Sequence, residues 1–566
     1  MKIKGIGSDF AYAPFRNENL LLFRSLRLAI KISSKHVYDI VIQQGTVIDG
    51  SGKPMFLADI ALKEGVIVGI GDFSASSAEQ VIDAGGCYVV PGFIDVNNHS
   101  DTYWELLAQP LLAGMLSQGV TTVIGGNSGS SLAPFTSPAV IRSIQKWTDI
   151  GKVNFNWLSM EGFLDEVERR RPGPNFGTLV GHGTLRRGVM RDESRPIRPE
   201  EINSMGKLLR TAMREGALGL STGLVYTHAR DTGVRELVQL TSTVRSMGGV
   251  YATYVRDEGA GLVKAVEEAI SVARESGALL HISHLKAVGE KHWPLMDEVF
   301  HLIETASMND QEVTFDVYPY TTTGSVLYTF LPKWITEGGR KMMMYRLRDR
   351  QVRQAVIRDM RKEAWDYTSM ILFSSQMSRM TKRRHIAEIA TEQGKSAEEV
   401  ILDILLASDG RAIVSLEVLS QRNVDKAVVH PFSIISSNGV GYALEHKSTG
   451  DLVHPRNFGT FPKVLSEYVR ERKLLSWEEA IHKMSGKPAA KFGLQNRGFL
   501  REGYAADVVV LRPDAIGSRA TTEDPYRYPD GIEWVLVNGV AALAQGQLTK
   551  QRSGMVLRRE RSWFHW

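Results

Sequence analysis

Eight short apolar runs recur along the middle of this chain, each ending in polar residues: "GFIDVNNH", "TTVIGG", "FGTLVG", "ALGLSTG", "VYATYV", "ALLHISHL", "VTFDVYPY" and "FSIISSNG". Short apolar runs bounded by turn residues suit strands buried on both faces. Between them lie amphipathic stretches such as "PEEINSMGKLLRTAMREG" (199–216), with Pro near the start and Gly at the end, as helix termini prefer. Strand and helix repeated eight times predict an α/β fold, a (β/α)8 TIM barrel, whose chemistry sits at the C-terminal strand ends.

The chain ends read differently. "YDIVIQQGTVIDGSG", "ADIALKEGVIVGIG" and "QVIDAGGCYVVPG" alternate apolar and polar residues, and the texture returns in "ADVVVLRP" and "IEWVLVNGVAALAQGQLTKQ". Such alternation, broken by Asp-Gly and Gly-containing turns, predicts antiparallel β structure. The expected division is an N-terminal extension over 1–37, a small β-sandwich domain from 38–90 and 495–560, and the barrel over 91–494. Between the seventh and eighth strands, about 326–428 is a basic, largely helical insertion placed to act as a lid.

Composition narrows the chemistry. The only cysteine is Cys87, so no disulfide forms within the chain, a Cys-rich zinc site is excluded, and a cytoplasmic setting is expected. No run of about eighteen apolar residues predicts a membrane span, and "MKIKGIGSDFAYAPF" is broken too early for a signal peptide. "NLLLFRSLRLAIKI" (19–32) reads as an extension or packing helix rather than a membrane contact. The net charge of +5 concentrates in 339–362 and 378–384. A solvated helical face explains it first and an anionic small substrate second. Nucleic acid is not expected, because no aromatic-plus-basic motif accompanies the charge.

The polar residues at the strand ends are expected to share one pocket: Asn97, His99 and Asp101; Asn127 and Ser128; His182; Tyr254, Arg256 and Asp257; His281 and His284; Tyr318 and Tyr320; and Asn438. Two histidines at strand ends of one barrel mouth are candidates for acid–base work.

The motifs "PGFIDVNNHSD", "GVTTVIGGNSGSSLAP", "LVGHGTLR", "GGVYATYVRDEG", "HISHLK", "DVYPYT" and "HPRNFGTFPKVLSEYVRE" occur in the order seen in the amidohydrolase superfamily. They most resemble its N-acyl-D-amino-acid deacylase (D-aminoacylase) branch, over about residues 38–560. The resemblance implies the barrel, the split β domain, the insertion and hydrolysis of an amide beside a carboxylate. It also implies zinc-ligand positions at Asn97, His99, Ser128, Tyr254 and His284, with Asn438 where the family has an aspartate. Only His99 and His284 keep the family's residue types. Asn and Ser are weak neutral donors, and a Tyr hydroxyl binds a metal well only after losing a proton.

The expectation drawn from these replacements is a rebuilt, metal-poor or metal-free site with no cofactor. A zinc weakly held by His99 and His284 is the alternative. By resemblance, Arg456 clamps a substrate carboxylate and Tyr318 contacts substrate. The expected catalytic set is His99, His284, Tyr254 and Asp101; the expected substrate-binding set is Arg456, Tyr318, Lys286, Asn438, Ser128 and Asn97. The partner is a small carboxylate-bearing molecule, acted on by a hydrolase of C–N bonds other than peptide bonds. The competing readings are a binding homologue without turnover and a weakly zinc-dependent D-aminoacylase. The sequence does not fix the oligomeric state.

Overall fold

Strands buried on both faces and strands buried on one face segregate along the chain, and each kind builds its own layer. The structure, a computed structural model, describes residues 37–141 and 155–559 apart from 192, 194, 227, 364 and 375–382. The 19–32 stretch, almost all of the 1–37 extension and most of the basic 378–384 run lie outside the described residues.

The eight apolar runs are the eight barrel strands: Phe93–Asp95, Val120–Gly125, Asn175–Thr178 continued by Val180–Gly181, Gly219–Gly223, Val250–Tyr254, Leu279–Ile282, Val313–Val317 and Ser433–Ile435. Successive strands pair in parallel. The ring closes where the first meets the eighth, through His99 N–H donating to Gly439 O at 2.8 Å. Most strands are buried at every residue, as their unbroken apolar sequences require. Around them pack amphipathic helices. Pro199–Arg214 buries Ile202, Met205, Leu209, Ala212 and Met213, and Leu262–Ser276 stops at Gly277 in the left-handed conformation. Phe492 and Ala489 join Ile94, Val250, Ala252 and Ile434 in a separate apolar cluster. Truncating Phe492 to Ala there would cost about 3–5 kcal/mol.

The two chain ends form the small β-sandwich domain, nine strands continuous in their hydrogen bonding. Tyr88–Pro91 joins the halves by pairing antiparallel with Val508–Leu511. Ile42, Ile60, Ile67, Val89, Val508 and Leu536 fill its core.

The insertion holds the helices Gly339–Arg346, Arg350–Met360, Ile386–Gln393, Ala397–Ala407 and Gln421–Val429. It also holds a three-stranded antiparallel sheet, Thr322–Val326 with Ile413–Glu417 and Ile371–Ser374, which starts just before the expected boundary. Specific contacts tie the insertion to the C-terminal side of the barrel. Lys333 Nζ lies 2.5 Å from Asp257 Oδ2, Arg230 donates to Lys333 O at 3.2 Å, and Gly289 N–H donates to Val418 O at 3.0 Å.

Candidate active site

A cavity of about 490 Å³ opens at the C-terminal strand ends, where barrel enzymes place their chemistry. His99, Ser128, Tyr254, His284 and Asn438 reach it from strand ends, with Glu258 and Lys286 from the loops that follow. Arg456 enters from the start of the Arg456–Lys463 helix, while Phe330, Leu331, Pro332 and Trp365 come from the insertion.

Three of these residues stand on left-handed backbone: Ser128 at φ 52°, His284 at φ 37° and Asn438 at φ 46°. Each position costs roughly 1–2 kcal/mol for a residue with a Cβ. Strain repeated at the ends of strands two, six and eight marks a constrained polar ring. The Gly-rich "GGNSGSS" segment is explained by crowding. A Cβ at Gly126 would fall 2.0 Å from Leu179 O, and one at Gly129 would fall 2.7 Å from Gly223 N.

The densest polar cluster joins strands five and six. Lys286 Nζ lies 2.5 Å from Glu258 Oε1 and donates to His284 Nδ1 at 2.9 Å. Tyr254 donates to Glu258 Oε2 at 3.2 Å, and its ring meets the His284 ring edge-on at 4.4 Å. Because Nδ1 accepts from the ammonium, the neutral His284 ring carries its proton on Nε2. Burial opposes ionisation of Glu258, but the Lys286 ammonium leads the effects that hold the carboxyl below its ordinary value. Burial, reinforced by Lys286, lowers His284. Burial also pushes the Tyr254 phenol well up, with the Glu258 charge adding to the effect.

His99 Nε2–H donates to Asn438 Oδ1 at 2.8 Å. Burial pushes its imidazole down to about 4 despite that bond, so the ring is neutral near pH 7. Asn97 turns away from the cavity and donates from Nδ2 to Asp316 at 3.2 Å. Asp316 also accepts from Ser436 Oγ at 2.5 Å and His281 Nε2 at 3.0 Å. Burial opposes its ionisation, yet the His281 bond and the nearby imidazoles hold it below the usual range.

The remaining expected residues separate. Asp101 does not line the cavity, which corrects its expected place among the catalytic groups: its oxygens accept the N–H groups of Thr102 and Gly126, both at 2.7 Å. Tyr318 lines a smaller neighbouring cavity beside His284 and lies under Arg456, with the guanidinium carbon 5.1 Å from its ring centre. Arg456 keeps Nε and Nη1 buried with no hydrogen-bond partner among the described residues. His182 is bound to Glu236 at 2.8 Å, within the barrel wall. Glu258 and Asp316 were not singled out by sequence reasoning. Their signal was present as charged residues in or beside apolar strands, "VYATYVRDEG" and "VTFDV".

A family model described as "Amidohydrolase family" matches residues 80–542. D-aminoacylase of Alcaligenes xylosoxydans xylosoxydans is 33% identical over 530 residues, covering 93% of this chain and 99% of the relative. N-acyl-D-aspartate deacylase of the same organism is 34% identical, covering 92% and 95%. Among solved structures, N-acyl-D-glutamate deacylase from Bordetella bronchiseptica, complexed with zinc and a phosphonate inhibitor, superposes with a TM-score of 0.78. It is 29% identical, covering 92% of this chain and 100% of its own.

The zinc bound in that relative overturns the expectation that no cofactor attends this site. The side chains of this chain, as placed, nonetheless do not fit zinc. Among the described residues no group of three or more His, Cys, Asp or Glu side chains is arranged to hold a metal. His99 Nε2 is spent on Asn438, and a lysine ammonium occupies His284 Nδ1. That positive charge beside the His284 imidazole opposes a dication, and Asn, Ser and a phenol held protonated are poor donors. The matched family model and the near-complete overlap with relatives establish that the chain belongs to the amidohydrolase family, as a D-aminoacylase-like hydrolase of C–N bonds other than peptide bonds.

Proposed function

We propose that this protein removes the acyl group from an N-acyl-D-amino acid, or a closely related amide bearing a carboxylate, by an altered acid–base mechanism. The observation that carries the reading is Arg456, whose buried, unpartnered Nε and Nη1 belong to a side chain lining the same cavity as His99, Tyr254 and His284. A guanidinium with unpaired donors is the group that carboxylates pair with. The relatives, named for N-acyl-D-amino-acid substrates, support the same class.

In this reading Arg456 holds the substrate carboxylate, Tyr318 supports the guanidinium from below, and Lys286 adds positive charge. The Tyr254 phenol and the His284 Nε2–H stay protonated and stabilise the oxyanion that develops on the amide carbonyl. His99, uncharged near neutral pH and held through Nε2 by Asn438, takes the proton from the attacking water and returns it to the leaving nitrogen. Ser128 orients the substrate amide. Asn97 acts indirectly, through the Asp316 network. An imidazole with a pKa near 4 is a weak base, so turnover is expected to be slow.

A second reading, a carboxylate-binding homologue without turnover, is favoured by Asn438, because the site has no carboxylate at that position to activate water. The test uses matched pairs: N-acetyl-D- and N-acetyl-L-amino acids, and the N-acetylated amine lacking the carboxylate. Release of free amino acid from the D compound alone supports hydrolysis. Binding of the D compound without release leaves the second reading.

A further inference from the structure

We propose that a side chamber opening off the main cavity receives the amino-acid side chain of the substrate, and that Glu105 selects a cationic group there. This rests on the function proposed above. The chamber measures about 120 Å³ and shares His99, Tyr103, Asn438 and Arg456 with the 490 Å³ cavity. The groups that would hold the carboxylate and face the scissile amide therefore form the wall common to both spaces.

An N-acyl amino acid has three substituents to place around Cα. With the carboxylate on Arg456 and the amide at His99, the acyl chain and the side chain must diverge, and two spaces meet at that point. The larger has Phe330, Leu331, Pro332 and Trp365 on its walls and suits an acyl chain. The smaller has room for several non-hydrogen atoms.

Glu105 sets the chemistry of the smaller space. Its side chain is only 12% exposed, and the ion contact it makes, to His446 Nδ1, is 3.8 Å long. That length is outside hydrogen-bond range. Among the described residues no donor reaches its carboxylate more closely. A largely enclosed acid with no close protein donor among the described residues is poorly solvated, and a cationic ligand supplies the missing donors. Tyr442 and Asp451 also line the chamber, the Tyr442 ring packed against that of His446 at 4.1 Å. Burial pushes the Glu105 carboxyl up to about 7, as expected of an acid awaiting a partner. A carboxylate side chain entering the chamber would instead meet like charge.

The experiment compares three N-acetyl-D-amino acids of similar length with the full chain and with Glu105→Gln: lysine (cationic), methionine (neutral) and glutamate (anionic). The expected order of kcat/KM is lysine, then methionine, then glutamate, with lysine ahead of glutamate by about tenfold or more. Glu105→Gln should reduce the lysine-to-methionine ratio about tenfold and raise the glutamate-to-methionine ratio. A wild-type preference for glutamate, or equal loss on all three compounds in the variant, would overturn the inference. If none of the three is hydrolysed, the function reading fails separately. The same ranking in calorimetric Kd values would then uphold the subsite, and equal affinities would refute it.

Discussion

The ammonium of Lys286 lies 2.5 Å from Oε1 of Glu258, and each side chain is 9% exposed. The two belong to different strand loops, so the pair locks strand five to strand six at the barrel mouth. It also fixes the charge on both sides of His284.

Removing one partner leaves the other charged and buried. Lys286→Met and Glu258→Gln are each expected to lower stability by about 3–5 kcal/mol. The double variant Lys286→Met/Glu258→Gln should lose less than the sum of the two. Urea denaturation of the four proteins of this double-mutant cycle checks it, and additive losses would show that the pair is uncoupled.

Backbone strain at the site makes a separate prediction. Ser128 holds φ 52°, so Ser128→Gly should raise stability by about 0.5–1 kcal/mol while weakening substrate affinity. Asn438→Gly gains similarly from its backbone but loses the 2.8 Å bond to His99, leaving stability near wild type. Melting temperatures of the two variants distinguish the cases.

Two buried carboxyls away from the cavity set a pH dependence. Burial, only partly offset by hydrogen bonds, pushes both Asp95 and Asp101 up to about 6. The unfolded chain releases these protons near about 3.9. Between those values the folded state binds more protons, so the stability these groups contribute is full below about pH 4 and is lost as pH rises through 6. Asp95→Asn and Asp101→Asn should therefore destabilise less at pH 7 than at pH 4. Denaturation midpoints across that range check the sign, and a greater cost at pH 7 would contradict it.

Much of the fold was legible because barrel strands buried on both faces leave unbroken apolar runs, from "GFIDV" to "FSII". The Thr322–Val326 strand was not, since "TTGSV" is short, half exposed and paired with a segment about ninety residues away. The site was read through its strand-end histidines, which local spacing reveals. Glu258 was missed because its partners Lys286 and His284 lie one strand further on, and Asp316 because Ser436 and Asn97, at the ends of strands eight and one, are far from it in sequence. Asp101 misled for the opposite reason. It stands near His99 in sequence, yet the backbone of Thr102 and Gly126 claims both of its oxygens. The motifs did imply zinc-ligand positions; it was the replaced residue types at Asn97, Ser128 and Tyr254, together with Asn438, that led to the expectation of no cofactor, which the zinc-bound relative overturns.

Arg456 carries the greatest weight in the proposed chemistry. Arg456→Met should reduce kcat/KM for an N-acetyl-D-amino acid by about 100-fold or more, mainly through KM, and Arg456→Lys should recover only part of it, because an ammonium lacks the planar fork.

The most direct measurement is release of free D-amino acid from N-acetyl-D-amino acids by the full chain and by Arg456→Met, followed to steady state. The account predicts measurable turnover of D substrates, none of L, and near-complete loss in the variant. Tight carboxylate binding with no amino acid released, or turnover indifferent to Arg456, would contradict it.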